Sequence, residues 1–143
     1  MNELRCPDCG AKMLPRDGKF GPFFSCIRWP DCSGKHGAHK STGQPFGIPG
    51  DAETRRARTA AHAAFDKLWQ HADEEAAVWK LPQPKRDKAL RRIRCEARES
   101  AYCWLAVHLG LAAADCHIGN FSADVCEQVV ELCEARLAAV PLP

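Results

Sequence analysis

The chain of 143 residues is long enough for one domain of ordinary size or two very small ones. No stretch is apolar over the length that a membrane span needs, and no apolar segment of a secretory signal follows Met1, so we expect a cytoplasmic protein without a membrane partner. The formal net charge is +2, but residues 111–143 carry one Lys/Arg against five Asp/Glu, and the resulting basic excess in the rest of the chain favours a polyanionic partner.

The first predicted element is a β-hairpin between two cysteine-containing turns. A compact turn over residues 6–10 precedes a short strand at 12–14. Residues 16–19 have an Asp-Gly centre, which is a strong hairpin signal, and residues 20–26 can return as the second strand. A second turn follows at residues 29–32. The hairpin is expected to bring the two turns together.

Four cysteines in these turns have the spacing of a structural zinc site. Cys6 and Cys9 form one pair, sixteen residues follow, and Cys26 and Cys32 form the other pair. Structural zinc takes four ligands in a tetrahedron, and cysteine thiolates suit it. We therefore predict one structural Zn²⁺ whose binding supplies about 10–16 kcal/mol, most of it as folding energy. The alternative, four free buried thiols, fits poorly with so little apolar sequence between them.

The next segment predicts a linker or an irregular, partly packed loop. Residues 33–51 hold five glycines and two prolines. Within this segment, Phe46 and Ile48 are candidates to pin the loop to a neighbouring surface. From Asp51 onward the composition shifts to Ala, Leu, Arg and Glu, which favour helices.

Three helices are predicted from apolar residues at helical spacing. Gly110 is a natural residue to end the second helix, and Ser122 can cap the start of the third. The predicted helices run over residues 53–70, 86–109 and 123–139, with Pro82 and Pro84 breaking the chain after the first.

The fold class expected from these elements is α+β. A small four-cysteine zinc ribbon precedes a small helical bundle. The ribbon consists of a β-hairpin and the two cysteine-containing turns, which are termed the knuckles. The ribbon is near the size at which apolar burial alone is marginal, so a metal staple is expected there. The predicted parts are a zinc ribbon at 1–36, a Gly/Pro-rich linker at 37–52 and a helical domain at 53–143.

The ribbon resembles the zinc ribbons at the C-terminal end of bacterial type IA topoisomerases. The motifs are C-P-x-C-G at 6–10, F-G-x-F-x-x-C at 20–26 and W-P-x-C at 29–32. The resemblance covers residues 4–36. It implies binding to single-stranded DNA or contact with RNA polymerase. It does not imply strand cutting, because the catalytic domains of those enzymes are absent from this sequence.

The rest of the chain resembles an uncharacterised zinc-finger-containing family with members in bacteriophages and bacterial mobile elements. The resemblance lies in R-A-R-T-A-A-H-A-A-F-D-K-L-W at 56–69, A-Y-C-W-L-A-V-H-L at 101–109, and H-I-G-x-F at 117–121 with Cys126 after it. It implies the architecture more than a function, since that family has no established activity to carry over. The cytoplasm expected above would then be that of a bacterial cell or of a phage-infected host.

Aromatic and basic residues around the second strand predict a nucleic-acid surface. Alternate strand residues face opposite sides, so some rings can pack beneath the zinc while others remain exposed. An exposed ring stacks on bases at about 1–3 kcal/mol per base. The alternative is that every ring belongs to the ribbon core. The candidate nucleic-acid-binding residues of the ribbon are Arg16, Lys19, Phe20, Phe23, Arg28 and Trp29.

A basic cluster at the start of the second helix is a second candidate surface. Arg91, Arg94 and Arg98 share one helical face and Lys88 flanks it, a pattern typical of a stripe that tracks phosphates. Basic residues at a helix N-terminus oppose the macrodipole, which favours a functional use. The alternative is a solvated face whose local partners include Glu96.

The remaining histidines and cysteines form no catalytic pattern, since no Ser, Asp or Glu stands at motif spacing to a histidine. We therefore expect no enzyme activity. Cysteines 95, 103, 126 and 133 are expected as small buried hydrophobes. Two metal alternatives stay open: a second site from Cys116, His117 and Cys126, or a histidine at 36 or 39 replacing a cysteine ligand.

Together these features predict a zinc-dependent nucleic-acid-binding protein with an accessory or regulatory role. Single-stranded DNA is favoured over duplex, and no small-molecule substrate is expected. The alternative function is a protein-interaction module, a phage or mobile-element factor that docks on or inhibits a host complex such as a polymerase or a defence machine.

Overall fold

The computed structural model describes residues 3–74 and 77–139. Contacts divide them into two compact units. One unit contains the described residues up to Arg58 together with Gly119–Ala123, and the other contains Thr59–Ile118 together with the described residues from Asp124 onward. No helix among these residues is both long and apolar enough to span a bilayer.

These units do not coincide with the three predicted parts, whose outer ends at residues 1–2 and 140–143 lie outside the described residues. The predicted linker at 37–52 belongs to the first unit. Arg58 explains part of this difference: its Nε donates to the carbonyl of Phe121 at 2.9 Å, and its Nη1 donates to the carbonyl of Ile48 at 2.5 Å. These two bonds connect the end of the predicted linker, at Ile48, and the distant segment at Phe121 to the same residue, Arg58.

Three antiparallel strands form the sheet of the first unit. They are β1 (Met13–Gly18), β2 (Gly21–Cys26) and β3 (Lys35–Gly37), in the order β1-β2-β3. The α+β prediction is confirmed, but β3 was not predicted, because its short run of Lys, His and Gly has no strand signal. The pairing of Phe23 with Gly37 forms it.

The hairpin turn lies two residues later than predicted. Met13 pairs with Cys26 and Gly18 with Gly21, so Lys19 and Phe20 form the turn. The Asp17-Gly18 centre predicted from the sequence lies within β1 instead. Gly21 has φ of 128°, a conformation that favours glycine, whereas Gly18 has no positive φ. The turn therefore uses the second glycine.

The loop after β3 folds back over the sheet. Ala38 forms a bridge with Pro45, and the Phe46 amide donates to the Gly37 carbonyl at 2.9 Å. The Phe46 ring lies so close to Gly37 that a Cβ there would be 2.8 Å from it. Phe46 thus pins the loop as predicted. Ile48 does so through its backbone, whose amide donates to Asn120 at 3.1 Å, while its side chain stays exposed.

The apolar cluster beside the four cysteines is very small. Its buried members are Cys6, Met13 and Cys26, and partly buried neighbours such as Phe24 pack against them. So small a cluster contributes little against the entropy of ordering this segment, which favours a metal staple here.

Three helices follow, α1 (Ala52–Asp66), α2 (Lys85–Leu109) and α3 (Ala123–Ala139). α2 and α3 lie within one residue of their predicted bounds, and Gly110 ends α2 with a left-handed φ of 66°. α1 ends at Asp66 rather than near residue 70, because the chain tightens there: the Leu68 amide donates to the Phe65 carbonyl at 2.9 Å, three residues back.

The second unit has its own core without the zinc ligands. Its largest fully buried residues are Phe65, Leu105, Ile118, Cys116, Cys126, Val129 and Cys133. Burial raises the pKa of the Cys133 thiol to about 11. Cys126 and Cys133 are buried as predicted, but Cys95 and Cys103 are exposed, because Ala101 and Leu105 take the inward positions of α2.

Candidate metal centre

The structure brings together the four cysteines that the sequence predicts as ligands. The sulfurs of Cys6, Cys9, Cys26 and Cys32 all lie within 4.8 Å of one another. Cys6 Sγ is 3.7 Å from Cys32 Sγ, and Cys9 Sγ is 3.5 Å from Cys26 Sγ. Four sulfurs at 2.3 Å from a tetrahedral zinc are separated by about 3.8 Å. The cluster therefore fits one zinc ion with a complete ligand shell.

Local backbone bonds shape the two knuckles. In the first, the Gly10 amide donates to the Cys6 carbonyl at 2.7 Å, and the Cys6 amide donates to the Ala11 carbonyl at 2.8 Å. In the second, the Cys32 amide donates to the Arg28 carbonyl at 3.0 Å. The third ligand, Cys26, is the last residue of β2, so the end of this strand places it beside the ligands of the two knuckles.

The electrostatics of the cluster call for a cation. The backbone N–H of Ala11 lowers the pKa of Cys9 to about 7. The Gly34 N–H also acts to lower the pKa of Cys32, but burial and the neighbouring sulfurs outweigh it and raise that pKa to about 12. Four adjacent thiols cannot all ionise beside one another without compensation. A divalent cation at their centre supplies it, as zinc does when it displaces thiol protons.

Gly34 is a structural residue of the site that the sequence prediction missed. A Cβ at this position would lie 2.3 Å from Cys6 Sγ and 3.5 Å from Cys26 Cβ. The first distance is a clash and the second is an ordinary contact, so glycine is required here by the position of Cys6 Sγ. The available signal was a glycine two residues after the last ligand, which is too common to be specific.

Asp8 is a second residue missed from the sequence. It lies between the ligands Cys6 and Cys9, and its Oδ1 accepts the Ala52 amide at 2.7 Å. Its Oδ2 accepts Arg55 Nη1 at 2.9 Å. The first knuckle therefore holds the first turn of α1, a contact between residues that are far apart in the chain.

Neither alternative ligand set is supported. His36 contacts the carbonyl of Phe46 through Nε2, and burial lowers its pKa. Within residues 3–74 and 77–139, the four-cysteine cluster alone has the geometry of a ligand group, so Cys116, His117 and Cys126 do not form one.

The exposed side of the sheet carries most of the nucleic-acid-binding residues that were predicted in the ribbon. Five of its side chains are termed the ribbon face: Arg16, Phe20, Phe23, Trp29 and Lys35. Arg16 pairs with Phe23 across β1 and β2, and Phe20 in the turn is 87% exposed. Trp29 is 55% exposed, and Lys35 Nζ lies 4.6 Å from the centre of its ring. Phe24 points to the other side and packs on the zinc core, as strand alternation predicts.

Two adjoining grooves cross the ribbon face. One of about 430 Å³ is lined by Arg16, Phe23, Trp29 and Lys35 among others. The second, of about 590 Å³, shares Phe23 and Lys35 and adds Lys19, Phe20, Lys40 and Phe46. Lys40 and Phe46 were not predicted, because only the fold-back after β3 brings them here. Arg28 is exposed next to Cys26 but lines neither groove.

The predicted basic stripe on α2 divides into different environments within the second unit. Arg92 pairs with Glu96 at 2.8 Å, which is the solvated-face arrangement. Arg91, Arg94 and Arg98 instead line one groove, and Lys88 is exposed outside it. The stripe is therefore a local cluster of three arginines rather than a continuous basic surface.

The sheet, the two knuckles and the closed thiolate shell define this chain as a zinc-ribbon protein. It belongs to the zinc-finger-containing domain family, which it matches over residues 2–136. This assignment confirms the family resemblance found in the sequence.

Shorter matches connect the chain with two curated proteins. It is 48% identical over 31 residues to uncharacterized protein YrdD of Escherichia coli K12, covering 22% of this chain and 17% of that protein. It is also 48% identical over 27 residues to DNA topoisomerase 1 of Campylobacter jejuni, covering 19% of this chain and 4% of the topoisomerase. The chain thus spans a small part of each relative. No solved structure matches it.

Proposed function

We propose that this protein is a zinc-dependent, non-catalytic factor that binds single-stranded DNA through the ribbon face. The observation that carries the proposal is the set of exposed rings interleaved with basic side chains beside the zinc cluster. Sequence-tolerant binders of single strands combine these two features, rings that stack on bases and cations that contact the backbone.

The details of the ribbon face suit a strand of unpaired bases. Trp29 and Phe23 border the same groove, which Arg16 and Lys35 also line. These two cations would contact the phosphates of a strand bound there. Lys35 lies against the Trp29 ring, which orients its charge at the groove edge. Duplex bases are already stacked on each other, so exposed rings favour unpaired ones. The Campylobacter relative is a DNA topoisomerase, which supports DNA as the ligand.

The proposal assigns the metal a structural role. A tetrahedral shell of four thiolates leaves no position for water or substrate, in contrast to catalytic zinc with three protein ligands. Binding of zinc would hold the hairpin and the two knuckles in the geometry that positions Phe23 and Trp29. The accessory or regulatory role proposed for the protein follows from binding without chemistry.

Binding measurements on the zinc-loaded full chain test the proposal. The probe is a fluorescent oligothymidylate, compared with a duplex and an RNA of the same length. Trp29→Ala is expected to weaken binding by about 5- to 150-fold through loss of one stacking ring. The affinity of the unaltered protein is expected to fall steeply with salt as bound phosphates release counterions.

Ile48→Ala is the matched control. Ile48 is also a large apolar residue of the first unit and is 60% exposed, but it lines neither groove of the ribbon face. Its substitution is expected to leave affinity unchanged. Absence of binding at low salt, or an affinity independent of salt, would refute the proposal. Tighter binding to duplex would refute the preference for single strands.

A protein-interaction module is the second candidate function, and the larger groove favours it. Phe20 and Phe46 are both exposed and give this groove an apolar lining. Exposed apolar patches of this kind also mark protein docking sites. A phage or mobile-element factor acting on a host complex would use it. Capture of a host protein that resists high salt, without oligonucleotide binding, would favour this candidate.

A further inference from the structure

The second unit contains a groove of its own that is lined by three arginines. The groove is about 510 Å³ and lies along α2. Its arginines are Arg91, Arg94 and Arg98, and Trp69 and Leu90 supply its apolar lining. Asp87 contributes a carboxylate to the lining. This volume is in the range of sites that hold small ligands or single groups of a polymer.

A buried carboxylate holds Arg94 in place. Arg94 Nε lies 2.9 Å from Oδ2 of Asp73, whose side chain is only 10% exposed. The backbone of Asp73 is held in turn, since its carbonyl accepts the indole N–H of Trp79 at 2.7 Å. This ion pair uses the Nε of the guanidinium. The two Nη groups of the same guanidinium remain suited to a bidentate contact with an anion.

Aromatic rings hold Arg98. Its guanidinium carbon lies 5.8 Å from the ring centre of Trp69 and 5.2 Å from that of Tyr102. Trp69 is in turn fixed by its indole N–H, which donates to Oδ1 of Asp66 at 3.1 Å. Contacts with rings stabilise a guanidinium through its charge and restrict its position. The side chain is thus pre-oriented before any ligand arrives.

Arg91 is the third arginine of the groove and lies about one helical turn before Arg94 on α2. Its side chain is exposed, and the part of the chain that the structure describes shows no hydrogen bond or ion pair for it. Residues three and four apart on a helix have Cβ atoms about 5–6 Å apart. The spacing of the three arginines along α2 is therefore similar to the spacing of neighbouring phosphates in an extended nucleic-acid strand.

We propose that this groove is a phosphate-binding site for a nucleic-acid strand, providing a second contact point on the protein. The inference rests on the proposed function for the identity of the anion. Arg92 shows what a solvated arginine on this helix looks like, since its side chain is 80% exposed and paired with Glu96. Arg94 and Arg98 differ from it because a buried acid orients the first and two rings orient the second. Guanidinium N–H groups held in this way are suited to a bidentate contact with two oxygens of a phosphate.

The test compares Arg98→Gln with Arg92→Gln in the full zinc-loaded chain. Both changes remove one positive charge from the same helix, but only Arg98 lines the groove. Arg98→Gln is expected to weaken binding of labelled oligothymidylate about tenfold. It is also expected to reduce the slope of log affinity against log salt by about 0.7, the value for one phosphate of a single strand. Arg92→Gln is expected to change neither quantity.

Two further variants keep the test decisive. Arg98→Gln could disturb Trp69, so Arg91→Gln, which removes no observed contact, must show the same loss of affinity and slope. Arg98→Lys retains the charge but lacks the guanidinium and its bidentate N–H donors. Its affinity is expected to lie between those of Arg98→Gln and the unaltered protein. Helical circular dichroism and thermal midpoints verify that each variant is folded.

The outcomes separate this inference from the proposed function. If the groove variants bind like the unaltered protein while Trp29→Ala does not, the groove is not a site and the ribbon-face proposal stands. Equal losses of affinity in Arg98→Gln and Arg92→Gln would mean that only the net charge of the helix matters. This result would overturn the proposal that the groove is a binding site. Polyglutamate competing as strongly as the oligonucleotide, through the same arginines, would assign the groove to an acidic peptide. No oligonucleotide binding at all would overturn both ideas.

Discussion

Gly34 lies at the closest approach between the backbone and the zinc cluster. A Cβ at this position would lie 2.3 Å from Cys6 Sγ, well inside contact distance. The Cys26 amide also donates to the Gly34 carbonyl at 3.0 Å, so the backbone here cannot simply move away. The geometry of the site therefore depends on a residue that is not a ligand.

Gly34→Ala is expected to displace Cys6 and weaken zinc binding by at least about tenfold, because the added methyl group occupies space needed by a ligand. Competition with a chromophoric chelator measures this affinity directly. Gly119→Ala is the control, since a Cβ there has open space and the backbone has no positive φ. Unchanged zinc affinity in Gly34→Ala would show that the two knuckles tolerate a wider opening.

At the scale of elements, the start of α1 is held by two aspartates from different places in the chain. Asp51 immediately precedes the helix, and its Oδ1 accepts the Thr54 amide at 2.8 Å, a local cap. That backbone N–H is the main cause of the lowered pKa of Asp51. Asp8 acts from the first zinc knuckle through Ala52 and Arg55. The zinc site and this helix end therefore support each other.

Asp8→Ala is expected to destabilise the first turn of α1 by about 1–2 kcal/mol, through loss of a cap bond and an ion pair that is partly buried. Hydrogen exchange should show faster opening of the amides around Ala52 and Thr54, while one zinc ion remains bound. Asp31→Ala is the control from the second knuckle, where the carboxylate is exposed. Equal exchange rates in the two variants would refute the link between knuckle and helix.

At the scale of the whole molecule, two units depend on different sources of stability. The first has a small apolar cluster at the zinc site, Cys6, Met13 and Cys26, and two of these three residues are zinc ligands. The second buries Phe65, Leu105 and Val129 with other apolar groups and contains none of the four ligands. Metal binding therefore stabilises one unit directly, whereas apolar burial stabilises the other.

Removal of zinc is expected to unfold the sheet but leave most of the helical signal. The lost metal contributes about 10–16 kcal/mol of apparent folding energy, more than such a small core can replace. Chelation followed by hydrogen exchange should show loss of protection in β1, β2 and β3, with protection retained in α2 and α3. Restoring zinc, with magnesium as the control ion, should recover the sheet. Concerted loss of all helices would contradict separate stabilisation of the units.

Local patterns were sufficient to predict the metal ligands and the later helices. The pairs Cys6/Cys9 and Cys26/Cys32 are close in sequence, and tetrahedral zinc restricts how they can be arranged. The bounds of α2 and α3 follow from nearby signals such as Gly110, whose left-handed conformation ends a helix within one turn. These features depend on neighbours in the chain, so the sequence by itself determined them.

The tertiary structure alone decided the features that depend on distant residues. The register of β1 and β2 moved the turn from Asp17-Gly18 to Lys19-Phe20, because the pairing of Met13 with Cys26 overrides a local turn preference. The contact of Asp8 with α1 and the placement of Trp69 and Asp73 beside the α2 arginines likewise join separate segments. No local periodicity encodes such contacts, because packing selects them only when the chain folds.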